Sequence, residues 1–261
     1  MDWQELKKTY PRDPDLPPRA HDLAALGRVL AGTQYDAIPN PFGTEYNGAG
    51  EYIPLARRRP SVRTNMCRAV VDDAVSLLFG ASHWPATVAS DPALPAIMAQ
   101  MAAETALPAL MTQAATRGSV GSVAVLVEAV DRHLRFQVHD TLYLTPQWDA
   151  DGTLASVTER YKVTGAILLA QGGPIAPEDM GSVFWWQRLW DRADCHVYIP
   201  QRVDAGPPAR VDATRGTHHG LGFVPWVWMA NLAAPGVMDG PCTFAPAIDT
   251  VIECDYLLSQ A

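Results

Sequence analysis

Cysteine is scarce in this chain of 261 residues: Cys67, Cys195, Cys242 and Cys254 stand far apart, with no C-x-x-C pair among them. That spacing excludes a zinc knuckle and a dense disulfide framework, and the four read as reduced thiols of a cytoplasmic product. Long apolar runs are missing too. No stretch reaches the roughly 18 residues needed to cross a bilayer, and the opening Met1-Asp-Trp-Gln-Glu-Leu-Lys-Lys8 is no charged-then-apolar leader, so no membrane partner is expected. Positive charge is in deficit: 20 Lys and Arg face 28 Asp and Glu, a net charge of −8. Affinity for phosphate backbones comes from Lys and Arg, so a repressor-like grip on nucleic acid is excluded.

The motifs of catalysis are absent as well. There is no Gly-x-x-x-x-Gly-Lys-Ser/Thr loop, no Gly-x-Ser-x-Gly elbow and no His-Glu-x-x-His. A nucleotide-driven motor needs the first of these, so this chain is not one. Asp72-Asp73 and Glu178-Asp179 read as solvated faces rather than acid/base pairs. His218-His219 with Cys195-His196 is the one metal-like grouping, and adjacent histidines on a strand point to opposite faces. No catalytic residue, metal or cofactor is therefore expected, and the chain is not expected to be an enzyme.

What is present is enough apolar material for a core: 48% of residues are hydrophobic and 18% charged, which suits one large domain or two small ones. Twenty-two prolines, above the average of about 5%, predict many loops and interrupted elements. A helix is expected over 21–31, then an ordered excursion of aromatics and turn residues over 35–50. Residues 91–116 read as helical, with a bend or break at Pro108. From Gly118 the period becomes that of strands: 123–130, 134–138, 141–144 and 156–163 predict one antiparallel series, with Asp149-Ala-Asp-Gly152 as a turn. More sheet is expected over 184–211, where Trp185, Trp186 and Trp190 suit a core, a subunit interface or a carbohydrate platform.

Two segments carry more than composition. Residues 57–80 predict one helix with Met66, Cys67, Val70, Val71, Ala74, Val75, Leu77 and Leu78 on one half, Asn65, Arg68, Asp72, Asp73 and Ser76 on the other, and Gly80 as a left-handed stop. Near the other end a strand-like stretch over 222–231 and a Gly/Pro loop over 233–241 precede a helix with Ile248, Val251, Ile252, Tyr256 and Leu258 along one side. No capping signal follows that helix, so the chain is expected to be the first part of something longer. The proline-then-asparagine helix ending in Leu78-Phe79-Gly80, taken with the late strand, loop and acidic helix, resembles the portal proteins of tailed bacteriophages, the head-to-tail connectors.

The resemblance implies an α+β wing domain with helices packed on antiparallel strands. It places an N-terminal arm at 1–60, the wing at 61–245 and the start of a long stem helix at 246–261, with clip, second stem helix and crown absent from this chain. It also implies a structural ring of twelve subunits at one capsid vertex of the virion, assembled in the host bacterial cytoplasm with capsid and scaffold proteins. Such a ring docks the terminase motor and then a head-tail adaptor, and passes viral double-stranded DNA through its centre, where an acidic wall keeps the DNA from sticking. Candidate subunit-interface or DNA-facing residues are Arg57, Arg58, Arg59 and Arg63, with Asp249, Glu253 and Asp255 as acids they could meet across a subunit boundary. On that reading Asp255→Leu leaves folding intact and changes assembly. The alternative is a carbohydrate-binding or glycoside-hydrolase-like β-rich domain built on Trp185, Trp186 and Trp190.

Overall fold

A computed structural model describes residues 1–80, 84–131, 133–232 and 237–261. The described residues form helices α1 (Trp3–Lys8), α2 (Pro18–Leu30), α3 (Met66–Phe79), α4 (Ala93–Glu104), α5 (Leu107–Gly118), α6 (Gly165–Ala170) and α7 (Ile248–Gln260). Their strands are β1 (Asn40–Pro41), β2 (Arg58–Arg59), β3 (Ser122–Val130), β4 (His133–Asp140), β5 (Leu144–Trp148), β6 (Leu154–Thr164), β7 (Val183–Trp190), β8 (Asp194–Val197), β9 (Gln201–Arg202), β10 (Thr217–His218) and β11 (Trp226–Ala230). This is an α+β fold. Two compact units replace the expected arm, wing and stem: Met1–Val123 with Met229–Ala261, and Ala124–Trp228.

The first unit is helical, and each helix starts for a local reason. Asp2 and Glu5 form a reciprocal cap on α1, with Lys7 and Lys8 in its last turn complementing the helix dipole. Pro18 opens α2 at a position where a missing N–H costs nothing. Helix α3 is shorter than the segment over 57–80 that predicted it, because Arg58–Arg59 pair as a strand with β1 and the chain turns at Asn65. Asn65, not Gly80, takes the left-handed conformation, with φ 47°; Gly80 is extended. The break expected at Pro108 falls just before it, at Ala106 with φ 49°, and Pro108 sits in the first turn of α5.

The core of this unit joins the two ends of the chain. Leu6, Tyr35, Cys67, Val71, Ile248 and Ile252 lie in one buried cluster, so residues 1–60 are part of the body rather than an arm. Only part of α3's apolar half is used: Cys67, Val71 and Val75 are buried, while Met66, Val70, Leu77 and Leu78 are exposed. In α7 the buried side is Ile248, Val251, Ile252, Asp255 and Tyr256, and Leu258 is exposed, because at about 100° per residue it falls outside that arc. Helix α7 spans 13 residues, so no long stem helix is seen among the described residues. Of the loop over 233–241, residues 233–236 lie outside the described residues. Beside that loop the Gly121 carbonyl accepts the N–H groups of Asn231 and Gly240, both at 2.8 Å.

The second unit is sheet. Strands run in the order β10-β8-β7-β6-β5, with β9 also on β7, and β6 pairs with β7 antiparallel from Val157 opposite Trp190 to Thr164 opposite Val183. The single antiparallel series expected from 123 to 163 is divided instead. Strands β3 and β4 belong to a separate sheet ordered β11-β3-β4, and a 3₁₀ turn at Thr141–Tyr143, where a third strand was expected, carries the chain from β4 into β5. The Asp149–Gly152 turn joins β5 to β6 as expected, with Gly152 at φ 82°. Leu126, Leu144, Val157, Trp190, Cys195 and Trp226 fill one core, and Val163, Leu168, Phe184 and Trp186 another.

Candidate functional site

The early and the late helix that carry the resemblance meet in the helical unit. Asp255 of α7 is fully buried, and its Oδ1 accepts from the backbone N–H and the hydroxyl of Thr64, each at 2.9 Å, just ahead of α3. Its Oδ2 accepts from the Tyr35 hydroxyl at 2.9 Å, and burial together with the Asp255 charge pushes that phenol's pKa up. Around this point the stretch before α3 is laced onto α7: Val62 N–H donates to Ser259 Oγ at 3.0 Å, and Tyr256 Oη donates to the Arg58 carbonyl at 2.8 Å. Burial beside Cys242 and Asp255 raises the Cys67 thiol to about 11.

The seven candidate residues therefore separate. Asp255 is interior, contrary to its expected place at a subunit boundary, because Thr64 and Tyr35 supply its partners from the same chain. Arg58 is buried as well; its Nε donates to the Ile53 carbonyl at 2.8 Å, and its guanidinium lies over the Tyr52 ring at 5.0 Å with Glu45 at 3.6 Å. That leaves it no free face for DNA. Asp249 accepts the Trp3 N–H at 2.6 Å, and Arg63 pairs with Asp36 at 2.8 Å. Arg57, Arg63, Asp249 and Glu253 are exposed and Arg59 half-buried, so five of the seven lie at the surface.

The tryptophans are interior too. Trp185, Trp186 and Trp190 are 2%, 9% and 7% exposed, so they form no open platform for a sugar. Trp186 stacks on Tyr161 with ring centroids 4.9 Å apart, while Trp185 carries Lys162 and Arg160 over its ring at 5.0 and 5.3 Å.

The metal-like grouping is rearranged. Cys195 turns into the apolar core while its neighbour His196 faces Asp191 at 3.1 Å, His218 pairs with Asp194 at 2.8 Å and His219 faces the Asp191 carbonyl. Ligand atoms of Asp191, Asp194 and His196 lie within 4.8 Å of one another. Asp191 is already engaged in its own turn: burial raises its carboxyl, but the N–H groups of Ala193 and Asp194 and the His196 side chain outweigh that and hold it below the usual value.

No family model matches this chain, and no curated protein matches it either.

Two features of the surface were not foreseen. Lys7, Lys8, Arg12 and His21 line a shallow cleft beside Tyr10 on the helical unit, brought together by α1 and the start of α2. An apolar groove of about 310 Å³ opens on the same unit between α3 and α5, with Leu78, Met111 and Leu232 among its walls. Of its walls, Leu78 is an exposed apolar residue of α3, and in a sequence it is indistinguishable from core.

Proposed function

We propose that this chain is a portal-like structural subunit that assembles into a ring at a capsid vertex, passes viral DNA through its centre, and docks a terminase motor and later a tail adaptor. The observation that carries the reading is the junction at Asp255. The early helix after Pro60 and Asn65 and the late acidic helix belong to one unit, and Thr64 and Asp255, 191 residues apart in the chain, join them. A net charge of −8 supports a conduit that does not hold its cargo. Scaffold and capsid proteins would be its neighbours in the virion, and twelve is the subunit number the resemblance implies.

The role asks for no chemistry of the chain itself, only for repeated contacts in which closure removes exposed edges. Light scattering with negative-stain imaging tests it. A closed ring with a central hole is the expected outcome, and a compact monomer at micromolar concentration would count against it.

A further inference from the structure

Between Asp91 and Arg117 the sequence has one charged residue, Glu104. Helix α4 occupies the first half of that stretch and has no buried residue at all. Leu94, Ile97, Met98 and Met101 recur at i, i+3, i+4 and i+7, the spacing of a helix that lays one face into an apolar groove. Yet Leu94, Ile97 and Met98 are 43%, 58% and 39% exposed. A 12-residue helix is marginal in water without a packed face. The same unit carries an apolar groove walled by Val71, Ala74, Leu78, Met111 and Leu232, and no residue of α4 lines it.

We propose that α4 of one copy docks in the α3/α5 groove of the next, making a head-to-tail contact between copies of this chain. Both halves of a helix-in-groove junction are present and neither is filled by the other. The groove and the helix are different patches, so the contact is heterologous, the kind that closes into rings or runs on as filaments. The area sets the strength of the contact. Leu94, Ile97 and Met98 on the helix and Leu78 in the groove are between 39% and 59% exposed. At on the order of 100 Å² of apolar surface per side chain, they present roughly 200 Å², to which the alanines of α4 and the groove floor add. That suits a small interface of the weakly associating class, below about 1,200 Å² in total, repeated from copy to copy. The near absence of charge from α4 removes the desolvation cost that would oppose docking. The inference deepens the ring proposal by naming its contact, and rests on that proposal only for closure.

The test uses the 261-residue chain and two variants whose changes lie on exposed side chains, Ile97→Glu/Met98→Glu in α4 and Leu78→Glu in the groove. Analytical ultracentrifugation reads the mass, and thermal unfolding checks that both variants stay folded. The wild-type chain is expected to self-associate, and each variant to weaken that association about 30-fold or more. Mixing the two should restore one junction, because the first variant keeps its groove and the second its helix. The product is then a dimer that grows no further.

A monomeric wild type, or variants that assemble as the wild type does, would overturn the contact. So would wild-type binding to uncharged vesicles that Ile97→Glu/Met98→Glu abolishes while the chain stays monomeric, which would assign α4 to a lipid surface. A closed ring indifferent to both variants removes this contact and leaves the portal reading standing. Open filaments sensitive to both variants do the reverse.

Discussion

Asp255 holds three hydrogen bonds at a fully buried position, so its removal is a folding question before it is an assembly question. Asp255→Leu leaves the Tyr35 hydroxyl, the Thr64 hydroxyl and the Thr64 N–H without acceptors, and each orphaned group costs about 1–3 kcal/mol. The variant should lose on the order of 3 kcal/mol in urea unfolding, in place of the unaltered folding the sequence suggested. Asp255→Asn keeps an acceptor oxygen and should lose less. Glu159 makes a second prediction. Burial alone would raise its carboxyl, but the hydrogen bond with His139 and the Arg188 guanidinium outweigh that and hold it below its ordinary value. A depressed folded pKa stabilises fully above the unfolded value of about 4.3 and loses that contribution as pH falls through the folded one. The urea midpoint should therefore drop below about pH 4, and in Glu159→Gln this part of the acid sensitivity should be missing.

At the scale of elements, Asn65 sets the start of α3 by adopting a left-handed conformation that glycine and asparagine tolerate and branched residues do not. Asn65→Val should cost about 1–2 kcal/mol in thermal or urea unfolding, and Asn65→Gly should cost little. Elements with strong local signals were legible: the body of α2, though it starts at Pro18, three residues ahead of the 21–31 expected, the α4/α5 break next to Pro108, the Asp149–Gly152 turn, and the tryptophan-bearing β7. What escaped was set by distant partners. The stretch over 57–65 looked like the first turns of α3, but Tyr256, Ser259 and Asp255 hold it extended, and a contact across nearly 200 residues has no local signature. The sheets were misgrouped for a similar reason, since β3 pairs on one side with β4 and on the other with β11, about 100 residues further on. Of the candidate site, the surface positions of Arg57, Arg59, Arg63, Asp249 and Glu253 were legible. The place of Asp255 within the apolar arc of α7 was legible too, but its partners Tyr35 and Thr64 and the burial of Arg58 were not, because a charged side chain declares its hydrogen-bond partners only once the fold is known.

For the molecule as a whole, the order of the two units along the chain matters more than any single contact. The sheet unit, Ala124–Trp228, interrupts the helical one, whose own core draws on Leu6, Cys67 and Ile252 from both flanks. The two ends of the interruption are tied within the helical unit, where the Gly121 carbonyl accepts the N–H of Asn231 at 2.8 Å. Replacing residues 124–228 by a short Gly/Ser turn should leave the helical unit folded, with its helical circular dichroism and cooperative unfolding retained. Loss of both would show that the helical unit depends on what it encloses. A gene built on this plan can gain, trade or shed its middle third in one recombination event, because the host body is closed behind the point of entry. Lineages carrying the same helical body could thus differ widely in length and surface, and comparing whole chains end to end would hide their kinship where comparing the flanks alone would reveal it.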